Sequence, residues 1–177
     1  MSRFLSIGLA SALGLVIASN AAQAGFKPGQ ISLQLSAGFA HTQDSDVSTL
    51  NGDATVSYFL TQGIELGAIQ GLNYTFIDDD DDVWNASTVA FANYNFGGPD
   101  STFVPFIGAF AGIVYNDEDA TGTLGPNGGL KIFVNDTTFM SIRYRYEWFV
   151  EELEQGDVDD NASDGNHVVT IGLGVNF

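Results

Sequence analysis

Two histidines, two spaced carboxylate pairs and three cations set in alternating runs are the groups in this chain that could do chemistry. His41 and His167 are the only histidines, and imidazole is the side chain best suited to general acid–base work near neutral pH. Asp117-x-Asp119 and Asp157-x-Asp159 place hard oxygen ligands at alternate positions, which is how a Ca²⁺ loop begins. Neither continues as one. Ala162 stands where the second would need its turn glycine, and Gly128 and Val168 occupy the positions of the closing bidentate glutamate. The expectation is weak divalent binding by Asp117, Asp119, Asp157 and Asp159, with no defined metal site and no other cofactor. Lys131, Arg143 and Arg145 are different, because what they can do depends on the side of a strand each one occupies.

The stretch 129–149 holds all three. It reads as two alternating runs around Asn135-Asp136-Thr137-Thr138, the pattern of a β-hairpin. Side chains alternate with a period of two, so Leu130, Ile132 and Val134 share a face, as do Met140, Ile142, Tyr144, Tyr146 and Trp148. Lys131, Arg143, Arg145 and Glu147 take the other. The same alternation recurs along the chain, at 30–41, 52–60, 64–76, 84–96, 103–115 and 167–177. With the hairpin this predicts eight strands. The run 103–115 is the least regular, since Phe106, Phe110 and Val114 make its second face apolar as well.

The chain opens with Arg3, a short apolar run over 4–18 and Ala22-Gln23-Ala24, the order of a cleavable secretory leader, so residues 1–24 are expected to be a signal peptide and 25–177 the barrel domain. The formal charge is −17, and losing a leader with one cation and no acid makes it one unit more negative. A nucleic-acid partner is excluded, because phosphate recognition needs clustered Lys and Arg. With no cysteine, an exported chain must hold through burial and backbone pairing alone.

Eight one-sided runs can close as a soluble sandwich or lipocalin-like barrel, or as a transmembrane barrel whose apolar face meets lipid. The second faces carry mostly Gly, Ser, Thr, Asn and charge, too polar for a sandwich core, and aromatic residues gather near the run ends. The expected fold is therefore an all-β, eight-stranded, antiparallel, up-and-down transmembrane barrel. Acids then alternate by end. The links over 42–51, 77–83, 116–126 and 150–166 hold 17 of the 22 Asp and Glu and are expected to be long and extracellular, with short periplasmic turns between them. An Arg or Lys turned to lipid near the midplane costs about 2–4 kcal/mol, so the three strand cations must face the lumen. Asp53, Glu65 and Glu147 share their parity, and an eight-stranded lumen is just wide enough for side chains to fill it. Ion pairs among Lys131, Arg143, Arg145, Asp53, Glu65 and Glu147 are expected to plug it.

The segments Pro105-Phe106-Ile107-Gly108-Ala109, Gly129-Leu130-Lys131-Ile132-Phe133-Val134-Asn135, Arg143-Tyr144-Arg145-Tyr146-Glu147 and Gly172-Leu173-Gly174-Val175-Asn176-Phe177 resemble the small outer-membrane β-barrel family that includes OmpX and the barrel domain of OmpA. The resemblance implies residence in a Gram-negative outer membrane with both termini periplasmic, among outer-membrane lipid and lipopolysaccharide, as a monomer. It also implies that Phe177 belongs to the C-terminal signal read by the barrel-assembly machinery. The barrel is expected to stand without a peptidoglycan-binding domain of the OmpA kind. His41 and His167, at the ends of the first and last runs with lipid-facing parity, resemble the outer-wall histidines of lipid A deacylases. No serine follows two residues after either, so a rim position is expected rather than catalysis. The sequence thus predicts a non-enzymatic barrel with a structural or surface-interaction role. A narrow passive channel and, after it, a lipid A-modifying enzyme are the alternatives.

Overall fold

The computed structural model describes residues 26–41, 47–77, 83–97, 100–116, 120–150 and 166–177, the side chains at 39–41, 47, 48 and 77 apart. Eight strands follow one another: β1 (Ile31–His41), β2 (Val47–Phe59), β3 (Ile64–Ile77), β4 (Val83–Asn95), β5 (Phe103–Tyr115), β6 (Ala120–Phe133), β7 (Thr138–Val150) and β8 (Asn166–Asn176). Each pairs antiparallel with its neighbours in sequence, and β1 pairs with β8 to close the barrel. Closure pairs the two edge strands with each other over Ser32–Ala37, and strands of 11–14 residues match or exceed the roughly 9–11 tilted residues that span a bilayer.

Register follows from the alternation. Along β2, Asp53, Thr55, Ser57 and Phe59 are buried inside while Ala54, Val56 and Tyr58 are exposed outside. On β8, Thr170, Gly172, Gly174 and Asn176 face in, and Val169, Ile171, Leu173 and Val175 face out. The outer wall is aliphatic in its middle, with Leu35 at 70% and Leu173 at 62% exposure. Aromatic pairs mark both rims: Tyr94 with Phe96 near the termini, and Tyr74 with Phe76 and Tyr146 with Trp148 at the opposite end.

Among the described residues seven phenylalanines are buried in the interior, and four of them lie directly opposite a glycine. Phe91 faces Gly67, Phe106 faces Gly129, Phe110 faces Gly125 and Phe139 faces Gly174. A methyl at Gly67 would sit 2.6 Å from Phe91 Cζ, and one at Gly129 would sit 2.8 Å from Phe106. The glycines are the space into which the rings fold, and this explains the second apolar face of β5. Phe106 and Phe110 are lumen filling, each lying over a residue that has no side chain.

Two strands begin earlier than the sequence suggests. β2 starts at Val47, paired with Ile77, and β6 starts at Ala120, paired with Tyr115. The β5–β6 ladder runs unbroken through Gly125-Pro126-Asn127-Gly128, which reads as turn chemistry on its own. The β6–β7 ladder instead skips Gly125 and Pro126, where proline has no N–H to give. The links expected over 42–51 and 116–126 are accordingly short, and the seven-residue link 96–102 on the terminus side is longer than three on the acidic side. Charge distinguishes the two ends better than length does. The terminus-side links carry only Asp100 and Asp136.

Candidate functional site: the lumen

The strand parity brings the six expected lumen residues inside, at three levels. Nearest the termini, Lys131 and Glu65 form a 2.7 Å ion pair, both almost wholly buried. Lys131 reaches this position from near the end of β6 and Glu65 from the start of β3. Glu65 also accepts hydrogen bonds from Ser57 Oγ at 2.7 Å, Asn93 Nδ2 at 3.2 Å and Asn95 Nδ2 at 3.3 Å. Its carboxylate is saturated, the condition under which a buried charge is tolerated. The Lys131 ammonium lies 4.5 Å from the ring centroid of Phe26 and 5.2–5.5 Å from those of Phe59, Phe106 and Phe139. A cation over aromatic faces regains part of its lost hydration.

Those rings form the floor. Phe26, just before β1, stacks on Phe59 with centroids 3.9 Å apart and planes 11° apart, and meets Phe133 and Phe139 edge-on at 5.1 and 6.0 Å. With Val104 they make one buried apolar cluster across the barrel mouth. Phe26 is held there by its own chain, since Gly29 N–H donates to Phe59 O at 2.8 Å and Phe59 N–H to Gln30 O at 2.9 Å. Gly29 takes a φ of +85°, a left-handed conformation that glycine adopts without strain, and so turns the chain under the barrel.

At mid-height Ile69, Val89, Phe91 and Phe110 form a second apolar cluster. Arg143 lies against it, its guanidinium 5.3 Å from the Phe91 ring and 5.9 Å from Phe106, and donates weakly to Thr55 Oγ1 at 3.4 Å. Asp53, expected as an ion-pair partner, instead accepts a hydrogen bond from Thr55 at 3.3 Å and acts on Arg143 through space. Toward the acidic end Arg145 pairs with Glu147 at 3.3 Å and packs on Phe110 at 5.6 Å. Above them the lining is neutral and polar, with Asn73 donating to Asn85 at 2.7 Å and Thr49 beside Thr75 at 3.1 Å.

The remaining candidates do not join this site. His167 stands on the outer wall, its Nδ1 2.7 Å from Tyr144 Oη and its ring 4.8 Å from Tyr146, and the His41 side chain lies outside the described residues. Phe177 is exposed, and its backbone closes β8 onto Ile31. Asp117, Asp119, Asp157, Asp159 and residues 1–24 also lie outside the described residues. Among those described, no cluster of three or more His, Asp or Glu could hold a metal ion. Sequence reasoning missed Phe26, and the only signal available was an isolated aromatic residue just after the expected leader.

No family model matches the chain, and no curated protein does. Solved structures do. The N-terminal β-barrel domain of OprF from Pseudomonas aeruginosa aligns at 18% identity with a TM-score of 0.54, over 86% of this chain and 100% of that one. This chain has the fold of the small eight-stranded outer-membrane barrels. OprG, also from P. aeruginosa, aligns at 16% identity and a TM-score of 0.56, over 88% of this chain and 99% of the other. Neisserial surface protein A gives 15% and 0.58, over 84% and 96%. Identity this low carries the architecture and leaves the lumen chemistry to be read from this chain's own residues.

Proposed function

We propose that this protein is a non-catalytic integral barrel of the outer membrane, its lumen sealed and its acidic links turned outward to serve envelope structure or contact with the surroundings. The floor of the lumen is the observation that carries the reading. Phe26, Phe59, Phe133 and Phe139 close around a saturated Lys131–Glu65 pair, which leaves that mouth filled with rings and a fixed ion pair. The outer-membrane setting is supported by the fold shared with OprF, OprG and Neisserial surface protein A, and by the aliphatic wall between aromatic rims. Concentration of acid in the four links remote from the termini supports their placement outside, with the termini periplasmic.

Cysteine labelling in intact cells tests the orientation, and the natural chain contributes no background because it has no cysteine. Asp80→Cys, in an acidic link, should react with a membrane-impermeant maleimide on whole cells. Asp136→Cys, in the β6–β7 turn, should react only after the outer membrane is breached. The reverse pattern would overturn the placement. Expression should also leave the acyl chains of lipid A unchanged, and acyl loss abolished by His167→Ala would overturn the non-catalytic reading.

A further inference from the structure

The lumen is sealed at one end only. Near the termini its inward side chains are all but excluded from solvent, with Phe59, Glu65, Lys131 and Phe139 at 2% exposure or less. At the acidic end the inward ring of Thr49, Asn51, Asn73, Thr75, Asn85 and Thr121 is only half-buried. Solvent reaches down from that end as far as Val168, which is also half-buried and stands directly opposite Arg145. The described residues thus form a blind vestibule with a neutral, mostly polar wall, and at its bottom lie Arg143 and Arg145.

Both arginines are more than nine-tenths buried, and both are short of acceptors. Arg143 makes no ion pair among the described residues. It donates to the neutral Thr55 hydroxyl at 3.4 Å, and its Nε has no partner. Arg145 meets Glu147 through Nη2, which leaves its Nε and Nη1 without an acceptor. Beside these donors stand acceptors that also lack partners. Asn127, the direct partner of Arg145 across β6 and β7, has an unbonded Oδ1, and Thr123, nearer the acidic end of β6, an unbonded Oγ1; both residues are buried. Donors and acceptors on facing residues that do not bond one another require a molecule between them, one that accepts from the guanidinium and donates to the amide. The carboxylates at this level are Asp53, reached through Thr55, and Glu147 on Arg145, and an ionised carboxylate can only accept.

We propose that the bottom of this vestibule binds a small oxyanion that keeps a proton, the chemistry of inorganic phosphate, with its anionic oxygens on Arg143 and Arg145 and its P–OH turned to Asn127 or to the Asp53 and Glu147 carboxylates. Bonds from a guanidinium fork to an oxyanion are charge-assisted and strong, and they give Arg143 the contact counter-charge it lacks. Both ionic forms of phosphate near neutral pH retain a hydroxyl, whereas sulfate has none. A site that mixes guanidinium donors with amide and carboxylate acceptors therefore separates the two. The acid-rich links at this end oppose the approach of any anion, but exposed charges are screened over about 10 Å at 0.1 M salt, and buried ones much less. This site goes beyond the envelope role, and it leaves the floor of the lumen closed.

The test is isothermal titration calorimetry of the refolded barrel in micelles with inorganic phosphate and, separately, with sulfate, in about 0.1 M sodium chloride. One phosphate per barrel should bind, and sulfate at least about tenfold more weakly. Arg145→Gln, checked for refolding by the heat-modifiable shift on gels, should weaken phosphate about tenfold. Asn127→Ala should weaken phosphate and leave sulfate where it was, which narrows the gap between them. Asn51→Cys, on the half-buried ring, gives a readout that leaves the arginines in place, and its thiol is the only one in the chain. Modification by a methanethiosulfonate reagent should block phosphate binding, and reduction should restore it. No phosphate bound by the wild type would mean that water alone bridges these groups and would overturn the proposal. Equal binding of sulfate, or phosphate binding unchanged in Arg145→Gln, in Asn127→Ala or after modification of Asn51→Cys, would overturn it as well.

Discussion

Replacing Glu65 with glutamine should destabilise the barrel far more than replacing Glu65 and Lys131 together. Glu65 is 2% exposed and Lys131 1%, with Nζ 2.7 Å from Oε2 and four aromatic rings around the ammonium. Glu65→Gln keeps the shape and can keep the Ser57 and Asn93 bonds, but it leaves an ammonium buried without its counter-charge. Breaking one side of a buried pair costs about 3–5 kcal/mol. Lys131→Met should cost less, because Ser57, Asn93 and Asn95 still donate to the carboxylate. The double variant removes both charges and leaves Met among Phe26, Phe59, Phe106 and Phe139, so it should fall within about 1 kcal/mol of wild type or exceed it. Urea unfolding of the refolded barrel in lipid vesicles, followed by tryptophan fluorescence as a double-mutant cycle, measures the coupling. A single-variant loss below about 1 kcal/mol, with additivity in the cycle, would refute the claim that this pair is a desolvated, mutually dependent unit.

Other positions give sharper yes-or-no outcomes. Phe26→Ala should cost about 3–5 kcal/mol in the same assay, and a loss under about 1 kcal/mol would show that the ring under the barrel is not packed. Gly125→Ala, whose methyl would run into Tyr146 O, should impair refolding as read by the heat-modifiable shift on gels, while Gly52→Ala, with only Ser36 O at 4.0 Å, should refold normally. Leu35→Arg, on the outer wall, should cost about 2–4 kcal/mol in vesicles if its strand position lies near the bilayer midplane, and a neutral result would contradict the lipid-facing assignment.

Strands and lumen charges were legible because both obey the same period of two. Lys131, Arg143, Arg145, Asp53, Glu65 and Glu147 all carry the parity of small polar residues, and a one-residue slip would have turned every one of them outward. The pairing within that set was not legible. Parity does not report height, and it is height that gives Lys131 to Glu65 and Arg145 to Glu147 and leaves Arg143 against Thr55 and Phe91. The starts of β2 and β6 were hidden for another reason. Gly125-Pro126-Asn127-Gly128 has the local chemistry of a turn, and only the ladder to β5 makes it strand. The inward phenylalanines disturbed the expected alternation, and their logic is visible only in pairs: Phe91 needs Gly67, and Phe106 needs Gly129, each distant in sequence and adjacent across the sheet. The turn at Gly29 that brings Phe26 beneath the barrel depends on contacts with Phe59 and left no periodic trace at all.

The sealed lumen is tested most directly by planar-bilayer conductance of the refolded chain 25–177, with and without millimolar Ca²⁺. A correctly folded wild-type barrel should stay silent under both conditions, and Arg143→Ala or Arg145→Ala should stay silent too, because the floor lies below them. Sustained single-channel steps from the wild type that change in either arginine variant would contradict the account, and would mean that the lumen is a conducting path with its ion pairs as the gate.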